Sequence, residues 1–305
     1  MQLFVPTEQH EGERRVAVVP EAVAKLTKLG LDVAIQSAAG SQARFADAEY
    51  AAAGATLVTG DASLGTADVV VTVRPMDPTR VARLKPGAIT LSFLSPTVNG
   101  DTIKAAADAG VTALSFDLVP RISRAQSMDA LTSQALCAGY RTALIAAERM
   151  PKFFPMLMTA AGTIPPAKVL VLGAGVAGLQ AMATARRLGA IVSAYDVRAS
   201  SADEVKSMGA TFIDLGLDAL EGAGGYAREM GQDRAVAQQN ALKPYIAESD
   251  VVITTAAVPG RRAPLLVTRD MAASMKAGSI IVDLAAETGG NVEGSVAGED
   301  VAIDG

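Results

Sequence analysis

The chain has 305 residues, half of them apolar and 19% charged, so it can bury a core and is not disordered. Its 27 Lys and Arg against 32 Asp and Glu leave a net charge of −5, which argues against a nucleic-acid partner. One cysteine, Cys137, and one histidine, His10, exclude an intrachain disulfide, a CxxC clip and a multi-His site, so no metal is expected. His10 lies in the charged stretch Glu8 to Glu13 and reads as a solvated surface histidine. No signal-like start and no membrane-spanning run is evident, and a soluble, cytoplasmic chain is expected.

Short β-branched runs alternate with helical patterns of about ten or more residues, the signature of parallel α/β sheets. Strands are expected at Leu3 to Val5, Val33 to Ile35, Val69 to Thr72, Ile89 to Ser92 and Val111 to Leu114, with helices over Pro20 to Leu29 and Thr102 to Ala109. A helix is expected from Ser127 to Met150, stopped by Pro151, with Leu136, Tyr140 and Leu144 at i+4 spacing. It reads as a cleft-spanning helix, and an ordinary packing helix fits the same spacing. Beyond it, Val169 to Leu172, Ile191 to Tyr195, Val251 to Thr254 and Ile280 to Asp283 read as strands.

Three fragments recur in the same order. Leu29-Gly30 returns as Leu188-Gly189, Asp68-Val-Val-Val-Thr72 as Asp250-Val-Val-Ile-Thr254, and Leu84-Lys-Pro-Gly-Ala-Ile89 as Met275-Lys-Ala-Gly-Ser-Ile280. The expectation is an α/β chain of two Rossmann-like parallel-sheet domains, residues 1–126 and 165–305, joined by a helix and connector over 127–164.

The clearest chemistry lies in Gly173-Ala-Gly175-Val-Ala-Gly178, a GxGxxG directly after a strand and opening a helix. Gly173 suits the tight turn, Gly175 the approach of a pyrophosphate, and Gly178 close helix–strand packing. Asp196 ends the next strand, where a carboxylate accepts the adenosine ribose hydroxyls and repels a 2′-phosphate, which favours NAD(H) over NADP(H). Arg198 works against that preference, since a nearby Arg accommodates the extra phosphate. The first half has no such loop, because its opening strand runs into Pro6-Thr-Glu-Gln-His10. One dinucleotide per chain is expected, with no conventional proton-transfer residue beside it.

Two further stretches are open to more than one reading. Pro120 to Asp129 gathers Arg121, Arg124, Gln126 and Asp129 before a helix, either as a ligand-presenting loop or as a solvated helix start capped by Ser127 or Asp129. Gly222 to Gly231 places four glycines around Tyr226, either as a flap over a cofactor or, more commonly, as a surface loop.

Arg121-Ile-Ser-Arg-Ala-Gln-Ser-Met-Asp129, Thr159-Ala-Ala-Gly-Thr163 and Gly224-Gly-Tyr-Ala-Arg-Glu-Met230 together resemble the NAD(H)-binding component, domain I, of proton-translocating nicotinamide nucleotide transhydrogenase. Glu11 to Ala17 is also similar to the wider group shared with alanine dehydrogenase. The resemblance implies direct hydride transfer from NADH on this chain to NADP+ on a separate domain III. It further implies coupling to proton movement through a membrane domain II, a homodimer, and a location peripheral to the inner membrane through partner subunits. It gives Arg121, Gln126 and Asp129, with Ser127, Met128 and Thr132, to the nicotinamide and its ribose, Gln126 being the candidate bridge to the partner's nucleotide. Val176, Ala177 and Gly178 fall to the pyrophosphate, Asp196, Val197 and Arg198 to the adenosine ribose, Tyr226 to the mobile loop, and Gln238 and Ala257 to further cofactor contacts.

The second reading is an alanine dehydrogenase-like oxidoreductase. Arg15 matches that enzyme's substrate-carboxylate arginine. Arg74 and Ser95, however, stand where it needs a Lys and a catalytic His, and Glu287 stands where it carries an Asp. Family members continue past the position of Gly305 with more sheet and a closing helix, so the expectation is a chain truncated at its C-terminus.

Overall fold

Parallel strands dominate both halves of the computed structural model, which describes residues 1–120, 122–220, 231–257 and 262–303. The backbone divides into two units, Met1–Asp129 and Ala130–Gly305.

The first unit runs β1 (Gln2–Val5), α1 (Pro20–Lys28), β2 (Asp32–Gln36), α2 (Asp47–Ala52), β3 (Thr56–Val58), β4 (Val69–Val71), α3 (Pro78–Val81), β5 (Ile89–Ser92), α4 (Gly100–Asp108) and β6 (Thr112–Ser115). Its strands form one parallel sheet in the order β3-β2-β1-β4-β5-β6. Alternation along β1 and β2 splits the core between two faces. Leu3, Val5, Val33 and Ile35 pack with Val23 and Tyr50 from α1 and α2. Phe4, Ala34 and Val70 pack with Val81 and Ala106 from α3 and α4. Helices on both faces make this a doubly wound sheet.

The second unit contains α5 (Ala130–Arg149), a hairpin of β7 (Leu157–Thr159) and β8 (Gly162–Ile164), then β9 (Lys168–Leu172), α6 (Val176–Arg187), β10 (Ile191–Tyr195), α7 (Ser201–Ser207), β11 (Thr211–Phe212), α8 (Gln232–Glu248), β12 (Val251–Thr254), α9 (Arg269–Ala273) and β13 (Ile280–Asp283). Five of these strands form a second parallel sheet, β11-β10-β9-β12-β13. β9 is buried along Val169 to Leu172, the continuous apolar run that a strand covered on both faces requires. Its odd positions pack under α5 and α6, and its even positions pack against Leu242 and Ile246 of α8. Gly139, in the middle of α5, is demanded by packing: a Cβ there would lie 2.0 Å from the carbonyl oxygen of Ala177 in the first turn of α6.

The recurring fragments occupy equivalent places in the two units. Leu29 and Leu188 are the C-caps of α1 and α6. The Asp68 carboxylate accepts the Gln2 amide at the start of β1 at 2.6 Å and Lys85 Nζ at 2.6 Å. Asp250 accepts the Lys168 amide at the start of β9 at 2.8 Å and Lys152 Nζ at 2.7 Å, with Lys276 3.8 Å away. Gly87 and Gly278 both take φ +79° in the turns that follow those lysines.

Three local expectations need correction. The linking helix begins at Ala130, and Ser123–Met128 is a 3-10 turn ahead of it. Apolar i+4 spacing marks a helix's face but says nothing of where the winding tightens. The short edge strands β3 and β11, and the hairpin of β7 and β8, are additions to the strands expected. With two or three residues apiece and mostly exposed or half-buried side chains, they carry little hydrophobic pattern.

Candidate functional site

In the second sheet the chain changes direction between β9 and β12, and a doubly wound sheet opens its ligand crevice at such a point, beyond the C-terminal strand ends. Both sides of that crevice are built from small residues. On the β9 side, Gly173 has φ +106°, and a Cβ on it would meet Thr255 Oγ1 at 2.6 Å. A Cβ on Gly178 would meet the Gly173 carbonyl oxygen at 1.9 Å, so that glycine lets α6 start hard against the turn. Gly175 differs: it is exposed, and among the described residues a Cβ there would meet nothing within 4 Å. The chain's own packing therefore places no demand on Gly175. As N-cap of α6 it offers no side-chain cap to the first-turn amides of this twelve-residue helix. Val176 and Ala177 are half-buried in that turn. This is the donor set a phosphate takes at a helix start, and it fits the pyrophosphate of a dinucleotide.

Asp196 follows β10 directly. Its Oδ2 accepts the Ala174 amide at 2.7 Å and Arg198 Nη2 at 2.9 Å, and its Oδ1 accepts Arg198 N and Nε at 2.9 Å each. The carboxylate thereby ties the glycine loop to the end of the neighbouring strand. Val197, between the pair, packs against the lower core.

Beneath the same strand end, the Tyr195 hydroxyl donates to Gln238 Oε1 at 3.0 Å, and Arg234 Nη1 donates to the same oxygen at 3.2 Å. Burial raises the Tyr195 phenol above its ordinary pKa, so it stays a neutral donor. Gln238, expected at the cofactor, is 1% exposed, and its carbonyl oxygen faces these two partners.

The opposite wall is the segment after β12. Thr255 Oγ1 donates to the Gly173 carbonyl at 3.1 Å, closing the crevice floor, and Ala257 is exposed just beyond. Ala256 is pinned from both ends by one side chain. Asn291 Oδ1 accepts its amide at 3.0 Å and Asn291 Nδ2 donates to its carbonyl at 2.8 Å, with a further bond to the Pro264 carbonyl at 2.8 Å. Asp283, ending β13, holds Asn291 in turn by accepting its amide at 2.9 Å, alongside Thr254 Oγ1, Ser295 Oγ and the Ala285 and Val292 amides. Sequence reasoning missed Thr255, Asn291 and Asp283. Asn291 follows Gly289-Gly290, eight residues past the end of β13, and carries no motif.

The remaining expected site residues lie elsewhere. Gln126, Ser127 and Met128 are exposed on the 3-10 turn of the first unit, with Ala125 buried beneath them, and Asp129 is half-buried at its end. Thr132 is half-buried in the first turn of α5. Arg121 and Tyr226, with the glycine-rich stretch around Tyr226, lie outside the described residues.

In the first unit the equivalent crevice, between the ends of β1 and β4, is occupied by the chain itself. Glu8 accepts the Val73 amide at 2.6 Å and the Arg74 amide at 3.1 Å. Burial raises the Glu8 pKa despite those two bonds. Glu13 pairs with Arg15 at 2.6 Å and Arg74 at 3.3 Å, and although burial alone would raise it, the bonds from Arg15 and Arg74 bring its pKa down to about 2. His10 is exposed, its Nε2 3.0 Å from the Pro75 carbonyl.

Comparison with known proteins gives this architecture a family. Residues 4–138 match the family described as alanine dehydrogenase/PNT, N-terminal domain, and residues 142–305 match alanine dehydrogenase/PNT, C-terminal domain. The chain is 47% identical over 300 residues to an NAD(P) transhydrogenase alpha-subunit protein of Rhodospirillum rubrum, covering 95% of this chain and 78% of that protein. A solved transhydrogenase structure from Sinorhizobium meliloti superposes with a TM-score of 0.87 at 46% identity, over 98% of this chain and 82% of that one. Alanine dehydrogenase of Mycobacterium tuberculosis is more distant, 32% identical over 97% of this chain and 75% of its own length. The chain belongs to the alanine dehydrogenase/PNT family and, within it, to the NAD(P) transhydrogenase alpha-subunit branch.

Proposed function

We propose that this chain is the NAD(H)-binding component of a proton-translocating transhydrogenase. It holds NADH for direct hydride transfer to NADP+ on a partner domain III, with the transfer coupled to proton movement through a membrane domain II. The observation that carries the reading is the open, uncapped start of α6 at Gly175 beside the Asp196 carboxylate, which suits a pyrophosphate and an adenosine ribose at once. No helix among the described residues is long and apolar enough to cross a membrane, so this reading assigns the membrane step to a partner. It includes a homodimer and a peripheral location at the inner membrane.

When bound, NADH supplies the hydride, and a transfer between two nicotinamides moves no proton at the reacting carbons. That agrees with a sequence whose one histidine is His10. The work of the chain is then positioning. The amides of Val176, Ala177 and Gly178 hold the pyrophosphate, Asp196 and Arg198 the adenosine ribose, and Ala257 lines the far wall. The resemblance assigns Arg121, Gln126, Ser127, Met128, Asp129 and Thr132 to the nicotinamide end, with Gln126 orienting the ring toward the acceptor, and gives Tyr226 and Gln238 supporting contacts.

The test is calorimetric NADH binding, followed by stopped-flow mixing with a purified NADP(H)-binding domain III and an acetylpyridine analogue of NAD+. Rapid transfer, slowed by about a hundredfold in Gln126→Ala, is expected. NADH binding without transfer, together with turnover of alanine to pyruvate, would overturn the reading in favour of an alanine dehydrogenase-like enzyme.

A further inference from the structure

The network beneath the end of β10 fixes the polarity of one buried amide. Tyr195 is the last residue of that strand, next to Asp196, and both Tyr195 and Gln238 are buried. Gln238 Oε1 accepts the Tyr195 hydroxyl at 3.0 Å and, from one turn earlier on α8, Arg234 Nη1 at 3.2 Å. Arg234 Nη2 donates to the Asp218 carbonyl at 3.2 Å and lies 3.5 Å from the Tyr195 oxygen. These three acceptors are uncharged, and the buried Arg234 Nε has no partner among the described residues. A guanidinium can only donate. Reversing the Gln238 amide would set its NH2 group against the Arg234 N–H groups, so Oε1 must face the arginine and Nε2 is the end turned from it. Among the described residues nothing accepts a hydrogen bond from Nε2.

We propose that Arg234 is a positioning residue for the adenosine half of the dinucleotide: it locks the Gln238 amide so that Nε2 donates to an acceptor atom of the adenosine. A buried donor without an acceptor is costly, and a bound acceptor removes that cost, so the locked amide favours a ligand that brings one. Arg234 touches no ligand in this scheme and acts through Gln238 alone. Tyr195 supports the same orientation, because its single proton goes to Oε1. The bond to the Asp218 carbonyl holds the guanidinium plane in place whether or not a ligand is bound. The adenosine half is assigned because Tyr195 adjoins Asp196, and the inference therefore rests on the crevice being an NAD(H) site.

NADH fluorescence titration of the full chain, with displacement by ADP-ribose, which lacks the nicotinamide, tests it, and thermal melting confirms folding. Gln238→Glu keeps the acceptor for Arg234 and Tyr195 and removes only the donor. It is expected to melt no lower than wild type and to bind both ligands about five- to tenfold more weakly, the size of one hydrogen bond. Arg234→Met keeps the apolar stem, frees the amide to turn, and should show a similar loss, with Arg234→Lys, which keeps one donor, in between. The double variant Arg234→Met/Gln238→Ala should bind no more weakly than Gln238→Ala alone, since nothing is left to position. A folded Gln238→Glu or Arg234→Met protein with wild-type affinity for ADP-ribose would overturn the inference, as would losses that multiply in the double variant, and each leaves the NAD(H) reading standing. Wild type binding neither NADH nor ADP-ribose would overturn both.

Discussion

The two sheets share the order 3-2-1-4-5 and a crevice at the same topological point, yet the chain lines the two crevices differently. In the second unit, three residues separate β9 from α6, so a helix start with no side-chain cap stands at the crevice. In the first unit, fourteen residues separate β1 from α1, and the intervening chain turns Glu8 back to cap the Val73 and Arg74 amides. A half-buried carboxylate thus takes the place an anion would take, and it repels another. Topology supplies the opening, and loop length and side-chain charge decide whether anything else can enter it.

The sharpest way to break the open crevice is Gly178→Ala. Its Cβ would overlap the Gly173 carbonyl at 1.9 Å, a backbone atom that cannot rotate away. The loop must open, at about 3 kcal/mol or more, and NADH binding should be lost with it. Gly175→Ala is the matched control: with nothing within 4 Å of the new methyl, stability should stay within about 0.5 kcal/mol, while NADH binding weakens because the methyl fills space a phosphate needs. Melting curves and calorimetry on both variants decide this. A Gly178→Ala protein that melts and binds like wild type would remove the close-approach argument.

That contrast was half legible beforehand. GxGxxG after an apolar run and an acid at the next strand end located Gly173, Gly175, Gly178 and Asp196, because those spacings follow from strand, turn and helix geometry alone. The major strands were legible for a similar reason, since parallel strands buried on both faces read as continuous apolar runs such as Val251-Val-Ile253. Asn291, Thr255 and Asp283 were not legible. They act through main-chain atoms far along the chain, and a side chain bonded to a backbone amide leaves no periodicity. Glu8 was equally hidden: in the sequence it is one acid in a charged stretch, and only the fold brings it to Val73. The spacing around Gln126 allowed two readings, and its exposed position on a 3-10 turn is compatible with ligand presentation.

Asn291→Ala tests whether the far wall is held as firmly as the glycine side. The substitution leaves the amide and carbonyl of half-buried Ala256 and the carbonyl of Pro264 without the partner that the fully buried Asn291 supplies. A loss of about 2–3 kcal/mol is expected, read as a fall in melting temperature, since buried polar groups stripped of a partner bear their full desolvation cost. Asn291→Asp should be of similar severity, because it presents a carboxylate to two carbonyl oxygens. A stable Asn291→Ala protein with undiminished NADH affinity would mean that the β12 wall holds itself.

The smallest effect belongs to the closed crevice, where charge does the holding. Glu13 has a side chain only 5% exposed, and its pairing with Arg15 and Arg74 outweighs burial to bring its pKa from 4.5 to about 2. A carboxyl whose folded pKa is depressed contributes stability that is complete above its unfolded value, near 4.5, and is lost as pH falls toward about 2. Glu8 has the opposite sign: its raised pKa means that ionising it costs stability, so the folded state gains as pH falls through that value. Both glutamates titrate in wild type, and Glu13→Gln removes only the first contribution. The variant should be less stable than wild type at pH 7 by on the order of 1 kcal/mol, because Arg15 and Arg74 are each more than a third exposed and water screens the pairing. The gap should narrow steadily below pH 4.5 and close near pH 2, as thermal melts at several pH values can follow. A gap of constant size across that range would show that Glu13 acts at this crevice through packing, and that the two crevices differ in loop length alone.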